Sequence, residues 1–347
     1  MKKWRFAPFI CVSVLMVIML FFVFTNMQYA RDPYPEPPTT ESPEEEIIVT
    51  EPSVEEPTES PTEPPPVEYL IDNNAKYVGC YVENVKEVNP FNGAINMLGW
   101  FDTFDKVSTT KIGLCLDDHQ YVAFITLEPE GMSLTDIVKG HYDEKIISYL
   151  QELSRDDRIH TELFIRLMHE MEMRPAYSTP WYSWQGYDAE LYIDAWKHIV
   201  TLGREYAPNV KWVWSPNRAD DYTPAYYPGD EYVDYVGMSL NNTRSRYADF
   251  KEFYEIVGTR QHLEAYNKPI IFSEVAEHNF GTEKQGDYLV SVLEYLSQDE
   301  KCVGVVFFNK NVTSDRKYQF THDEVIMDRI IQITRELFGI GEEEKIF

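Results

Sequence analysis

The chain reads as an α/β protein built on a (β/α)8 barrel, and two patterns predict it. Eight short runs are apolar at nearly every position, as strands are when buried on both faces of a parallel sheet. Longer stretches with helical spacing lie between them, and about eight such pairs in roughly 280 residues is the content of an eightfold barrel. A doubly wound open sheet is the rival, but no glycine-rich phosphate loop follows the first run.

In order, the runs are Tyr77–Val82, Ile95–Phe101, Tyr121–Leu127, Leu163–Met168, Val210–Trp214, Val233–Leu240, Ile270–Phe272 and Val303–Phe308. Helical spacing marks Tyr142–Leu153, where Ile146, Ile147, Leu150 and Leu153 share a face. It recurs over Ala189–Tyr206, Phe250–Tyr266, Asp287–Leu296 and Glu324–Leu337. Between Glu83 and Gly93 only a short helix fits.

Two other materials precede the barrel, which is expected over residues 69–347. Residues 1–26 open with Lys2, Lys3 and Arg5, followed by an uncharged apolar run, Ala7 to Phe24. As a helix this run spans about 27 Å, close to the hydrocarbon core of a bilayer. The basic residues should stay cytoplasmic and send the rest outward. The run's length, and Gln28 where a cleavage site wants a small residue, favour an uncleaved anchor over a signal peptide. Residues 27–68 form a linker: from Arg31 to Glu68 there are twelve acids, one base and eleven of the chain's 21 prolines. Such a stretch cannot offset its ordering entropy, and if fully extended it reaches on the order of 120 Å. A disordered stalk is expected.

Composition narrows the function. Acids number 58 against 31 bases, a net charge of −27, which disfavours a phosphate backbone as partner. Four scattered cysteines exclude a zinc ribbon and a disulfide-scaffold mini-protein. Cys80 and Cys302 fall on strands that a closed barrel makes neighbours, and are read as small core residues in preference to a disulfide. Aromatics at 14% suffice to line a groove for an uncharged ligand.

In a barrel the chemistry sits at the C-terminal strand ends. The fourth run leads into His169-Glu170, and the seventh into Ser273-Glu274. A carboxylate there is costly unless paired or used, and two are informative. His169-Glu170 is not a metalloprotease motif, because position 173 is Met and the preceding residues are strand-like. No Gly-x-Ser-x-Gly is present. Two carboxyl groups across an aromatic cleft suit glycosidic cleavage: one protonates the leaving oxygen while the other attacks or activates water.

Four blocks resemble glycoside hydrolase family 26: Arg166-Leu-Met-His-Glu-Met, Val210-Lys-Trp-Val-Trp-Ser-Pro-Asn217, the stretch from Tyr226 to Gly237, and Ile271-Phe-Ser-Glu274. The resemblance implies an extracellular barrel enzyme, endo-acting and configuration-retaining. It points to β-mannan first, with mixed-linkage β-glucan or β-1,3-xylan next. It makes Glu170 the general acid/base and Glu274 the nucleophile. Arg166, His169 and Trp214 would belong to the substrate site. Trp181 and Trp184, in a polar loop after the fourth run, are read as sugar-stacking in preference to loop packing. It calls for no cofactor and no metal, and a monomer is expected.

The departures fall around the pair. Glu172-Met173 replaces the family's Asn-Gly, and Trp181-Tyr182-Ser183-Trp184 arrives late. Phe307-Phe308-Asn309 stands for Trp-Phe-Asn, so Phe307 is expected where a stacking indole usually lies. Asn241-Asn242 replaces Tyr-Asn, whose phenol would reach the nucleophile. Asparagine is shorter, so either Tyr227 reaches in or Glu274 is held loosely. The expected result is a slow enzyme that Asn241→Tyr would quicken. A carbohydrate-binding protein with hydrolysis lost is the alternative.

Overall fold

The computed structural model describes residues 76–155, 158–173, 182–186, 188–218, 221–243, 245–256, 259–313 and 316–341. The expected membrane segment 1–26, the linker 27–68 and Trp181 lie outside the described residues. Among the described residues no helix is long and apolar enough to cross a membrane.

Eight strands close into one barrel in sequence order: β1 (Tyr77–Tyr81), β2 (Met97–Thr103), β3 (Val122–Glu128), β4 (Leu163–Leu167), β5 (Val210–Trp214), β6 (Tyr235–Asn242), β7 (Ile270–Glu277) and β8 (Cys302–Phe307). Every neighbouring pair is parallel, and β1 closes on β8 with Tyr77 opposite Gly304. The apolar runs locate all eight. Strands β6 and β7 run past their apolar stretches, because the ladder continues through Asn241, Asn242, Glu274 and Glu277. Of these, Asn241 and Glu274 meet at the barrel mouth.

The outer layer comprises α1 (Thr109–Ile112), α2 (Leu134–Val138), α3 (Asp143–Leu153), α4 (Ala189–Tyr206), α5 (Thr259–Glu264), α6 (Thr282–Gln298) and α7 (Glu324–Phe338). The Asp188 carboxylate caps α4 at the Leu191 amide, and Asp323 caps α7 at Val325 and Ile326. Gly339, at φ 66°, ends α7 in the left-handed conformation that suits glycine. The stretch expected as one helix, Phe250–Tyr266, instead gives a wide turn at Glu252–Ile256 and then α5. Gly258 interrupts its helical propensity. After β5, where Pro224 and Pro228 fall, only short 3-10 turns occur among the described residues, at Thr223–Tyr226 and Asp230–Tyr232. A small hairpin (β9, Asn311–Thr313; β10, Arg316–Lys317) follows β8.

Strand alternation sorts the core into two sets. Val78, Leu98, Ile125, Ile165, Trp212, Phe272 and Val305 face the helices. Tyr77, Met97, Phe124, Phe164, Val213, Ile271 and Val306 fill the barrel. Cys80, Cys115 and Cys302 are buried free thiols. Cys80 pairs with Phe307 and not with Cys302, which places the two cysteines at different heights of the barrel. Toward the C-terminal end the barrel filling turns polar, with Tyr81, Thr126, Arg166, Ser239 and Glu274 hydrogen-bonded to one another. Gly99 makes room there: a Cβ would lie 2.8 Å from Val306 Cγ1 and 3.2 Å from the Tyr81 ring.

Candidate active site

Arg166 is the centre of that polar layer. On β4 it is two residues beyond Phe164, so period-2 alternation points it into the barrel. Its side chain is wholly buried, and each of its nitrogens donates. Nε donates to Ser215 Oγ at 3.0 Å, Nη2 to Ser239 Oγ at 2.6 Å, and Nη1 to Glu274 Oε2 at 2.9 Å. Nη2 also lies 4.0 Å from Glu170 Oε1. One planar guanidinium therefore spans both glutamates, which fits its fork geometry.

Glu274 reaches this position through a register shift. Gly237 pairs with Ile271 and Ser239 with Glu274, so β7 carries one extra residue. Such a bulge re-aims a side chain. Without it the alternation that puts Ile271 and Ser273 inward would turn Glu274 toward the helices. Both Glu274 oxygens are engaged, Oε2 by Arg166 and Oε1 by Asn241 Nδ2 at 2.9 Å. The expectation that asparagine falls short of the nucleophile is thus corrected: β6 and β7 are adjacent, and the short side chain spans the gap. Tyr227 does not reach in. Its hydroxyl donates to Asp230, and its ring packs on Trp214 and Tyr266.

Glu170 follows the strand in a tight turn. Met168 and Glu170 adopt left-handed backbone, φ 40° and 56°, which costs about 1–3 kcal/mol each in a non-glycine residue. The turn is pinned from several sides. The Glu170 amide donates to the Ser215 carbonyl, Tyr192 Oη to the Met168 carbonyl and Trp184 Nε1 to the His169 carbonyl. Ser239 Oγ donates to Glu170 Oε1. Burial first, then the charge of Glu274, push the Glu170 carboxyl above its ordinary pKa, against the pull of Arg166, Ser239 and Asn217.

His169 is buried beside the rings of Phe101, Tyr182 and Trp184. Burial, then the Arg166 charge, hold its pKa well below the usual value, so the ring is neutral at neutral pH. A neutral imidazole offers one donor and one acceptor, the complement of a hydroxyl.

The aromatic assignments need three corrections. Trp184 is 2% exposed and stacks on Tyr182 at 4.2 Å; it braces the Met168–Glu170 turn through the His169 carbonyl and is no open platform. Trp214 alternates with Val213 and so faces the helices, buried against Tyr227 and Tyr266. Phe307 likewise faces outward onto Phe320, and the ring of β8's end that faces the mouth is Phe308. Trp100, outward-facing on β2, is core.

Among the described residues, the exposed ring at the mouth is Phe101, at 38%. It stacks on Tyr81 at 4.8 Å and meets His169 and Phe308 edge-on. Phe101 is not among the residues that the sequence singled out, though inward alternation from Met97 through Gly99 leads to it. Ser239 was missed too, and lies two residues before Asn241 on the same face. Glu128 ends β3, buried, with its carboxyl pushed up to about 7, chiefly by burial.

Comparison with known proteins agrees with this geometry. Residues 103–296 match the model of glycosyl hydrolase family 26. The chain is 30% identical over 211 residues to endoglucanase H of Acetivibrio thermocellus, covering 56% of this chain and 22% of that protein. It is 32% identical over 144 residues to a mannan endo-1,4-beta-mannosidase of Bacillus subtilis, covering 38% and 34% of the two. It thus spans about a third or less of these curated relatives. Among solved structures, a Bacillus subtilis mannanase superposes with a TM-score of 0.54 at 18% identity, over 79% of this chain and 88% of that one. A β-mannanase from Bacteroides ovatus gives 0.55 at 13%, over 79% and 95%. With the family's profile laid across more than half of its length and the same barrel beneath, the chain belongs to glycosyl hydrolase family 26.

Proposed function

We propose that the domain of residues 69–347 is a retaining endo-β-glycosidase, with Glu170 as general acid/base and Glu274 as nucleophile. The observation that carries this reading is the shared guanidinium. Arg166 donates directly to Glu274 but stands 4.0 Å from Glu170. The pair is thereby made unequal, as acid and nucleophile must be.

Glu170, whose pKa is pushed up by burial and the neighbouring charge, gives its proton to the glycosidic oxygen as that bond breaks. One oxygen of Glu274 bonds to the anomeric carbon and holds the glycosyl group. Glu170, now ionised, takes a proton from water, whose oxygen displaces Glu274 from the second face. Carboxyl groups about 5–5.5 Å apart would suit this double displacement. Neutral His169 would meet a sugar hydroxyl, and Phe101 would carry a ring face.

The names of the relatives support β-1,4-mannan as the first substrate to try and a β-glucan as the second. The apolar run and the acidic stalk would hold the domain outside the membrane, as a monomer acting on polysaccharide with no cofactor. The two-sided grip on Glu274 supports hydrolysis over mere carbohydrate binding.

Release of reducing ends from glucomannan, lichenan and β-1,3-xylan tests the proposal. The wild type should cleave at least one polymer, and Glu274→Gln should abolish cleavage. Retention on the insoluble polymers with no release from any would establish the binding protein instead.

A further inference from the structure

Glu172 lies two residues beyond Glu170 and takes no part in the scheme above. Its carboxyl is 3% exposed, and Oε1 accepts the Arg218 amide at 2.5 Å. The amides of Asn217 and of Glu172 itself also reach this carboxyl. From the same short segment, the Asn217 side chain reaches Glu170. A mechanical path thus runs from one carboxyl through a stretch of backbone to the other. The acid/base turn has two left-handed residues, so its carboxyl needs such external definition.

We propose that Glu172 is a positioning residue for the acid/base: by holding the Asn217–Arg218 backbone, it keeps the Asn217 amide on Glu170. The inference rests on the role proposed for Glu170. It also gives the replacement of asparagine by glutamate at this position a purpose, since the longer side chain reaches the loop after β5.

Its protonation suits the task. Burial pushes the carboxyl up to about 8, against the pull of the backbone amides, so Glu172 is largely neutral at neutral pH. The groups facing it are Glu170 from its own loop, the Asn217–Arg218 amides from the β5 loop, and Tyr192 from α4. A neutral carboxyl can hold the segment without adding a second negative charge beside Glu170. Above about pH 8 that charge would appear.

The Asn217 bond lowers the Glu170 pKa, so its loss moves that pKa up. Titrating the Glu170 carboxyl by 13C NMR and recording kcat/KM against pH test the proposal in Glu172→Ala, Glu172→Gln and Asn217→Ala. The titration and the alkaline limb should move to higher pH in Glu172→Ala and in Asn217→Ala, with no further shift in the double variant. Glu172→Gln, which still accepts the Arg218 amide, should restore both. The rate in Glu172→Ala should fall about tenfold or more, as misplaced catalytic groups do. An unmoved Glu170 titration in folded Glu172→Ala, or additive shifts in the double variant, would overturn the inference. Because the NMR titration needs no turnover, a protein inactive on every polymer would refute the enzyme reading and still leave this one readable.

Discussion

Asn241 Nδ2 donates to Glu274 Oε1 at 2.9 Å, where the sequence left either a reach from Tyr227 or a loosely held carboxylate. The pocket is built around the amide. A hydrogen bond to a buried charged group contributes about 1.5–3 kcal/mol. Asn241→Ala should therefore lower kcat about ten- to hundredfold, with a smaller effect on KM. Asn241→Tyr should lower kcat as well, because it removes the amide from which Glu274 Oε1 accepts. A tyrosine variant faster than the wild type would mean that the amide is a loss and not a replacement.

Arg166 is the counter-charge for buried Glu274, and removing it leaves that carboxylate uncompensated. Arg166→Ala should destabilise the fold by about 3–5 kcal/mol in denaturant titration. Arg166 holds the Glu170 pKa down, so in Arg166→Lys, whose single nitrogen cannot span both partners, the alkaline limb should move to higher pH. A lysine variant with unchanged profile and stability would show that the fork geometry is dispensable.

Stability should fall as pH rises from about 4.5 to about 8. Burial raises Glu128 and Glu277 to about 7 and Glu172 to about 8, from an unfolded value of 4.5. Below 4.5 both states are protonated and the three cost nothing. As pH rises past that value the unfolded chain releases protons first and is favoured, until the folded carboxyls ionise as well. Net charge pushes in the same direction, so the triple glutamine variant is the control. Its Tm against pH should be flatter than that of the wild type, and identical slopes would contradict the assignment.

Phe101 and Trp184 should separate cleanly. An exposed stacking ring contributes about 0.5–1.5 kcal/mol, so Phe101→Ala should raise KM several-fold with kcat and Tm little changed. Trp184→Ala removes a buried indole and should cost about 3–5 kcal/mol of stability. The reverse pattern would restore Trp184 as the sugar platform.

The barrel was legible because its strands are buried on both faces, which leaves unbroken apolar runs such as Leu163–Met168 and Val210–Trp214. The glutamates were legible because a charge at the end of such a run is conspicuous. What could not be read was which neighbour faces inward. The resemblance to the family puts Trp214 and Phe307 at the site, yet the parity of their strands turns both toward the helices. Glu274 escapes the same parity only through the bulge in β7, which no pattern in Ile271-Phe-Ser-Glu274 announces. The reach of Asn241 depends on the spacing of adjacent strands, a tertiary distance that side-chain length alone does not supply.

The stereochemistry of the first product tests the central claim most directly. The glycan cleaved fastest in the polymer panel would be hydrolysed in D2O and followed by 1H NMR of the new reducing end, before mutarotation. Attack by Glu274 followed by water from the opposite face predicts the β-anomer first, giving way slowly to the equilibrium mixture. An α-anomer as first product would mean a single displacement by water, and Glu274 would then be a base and not a nucleophile.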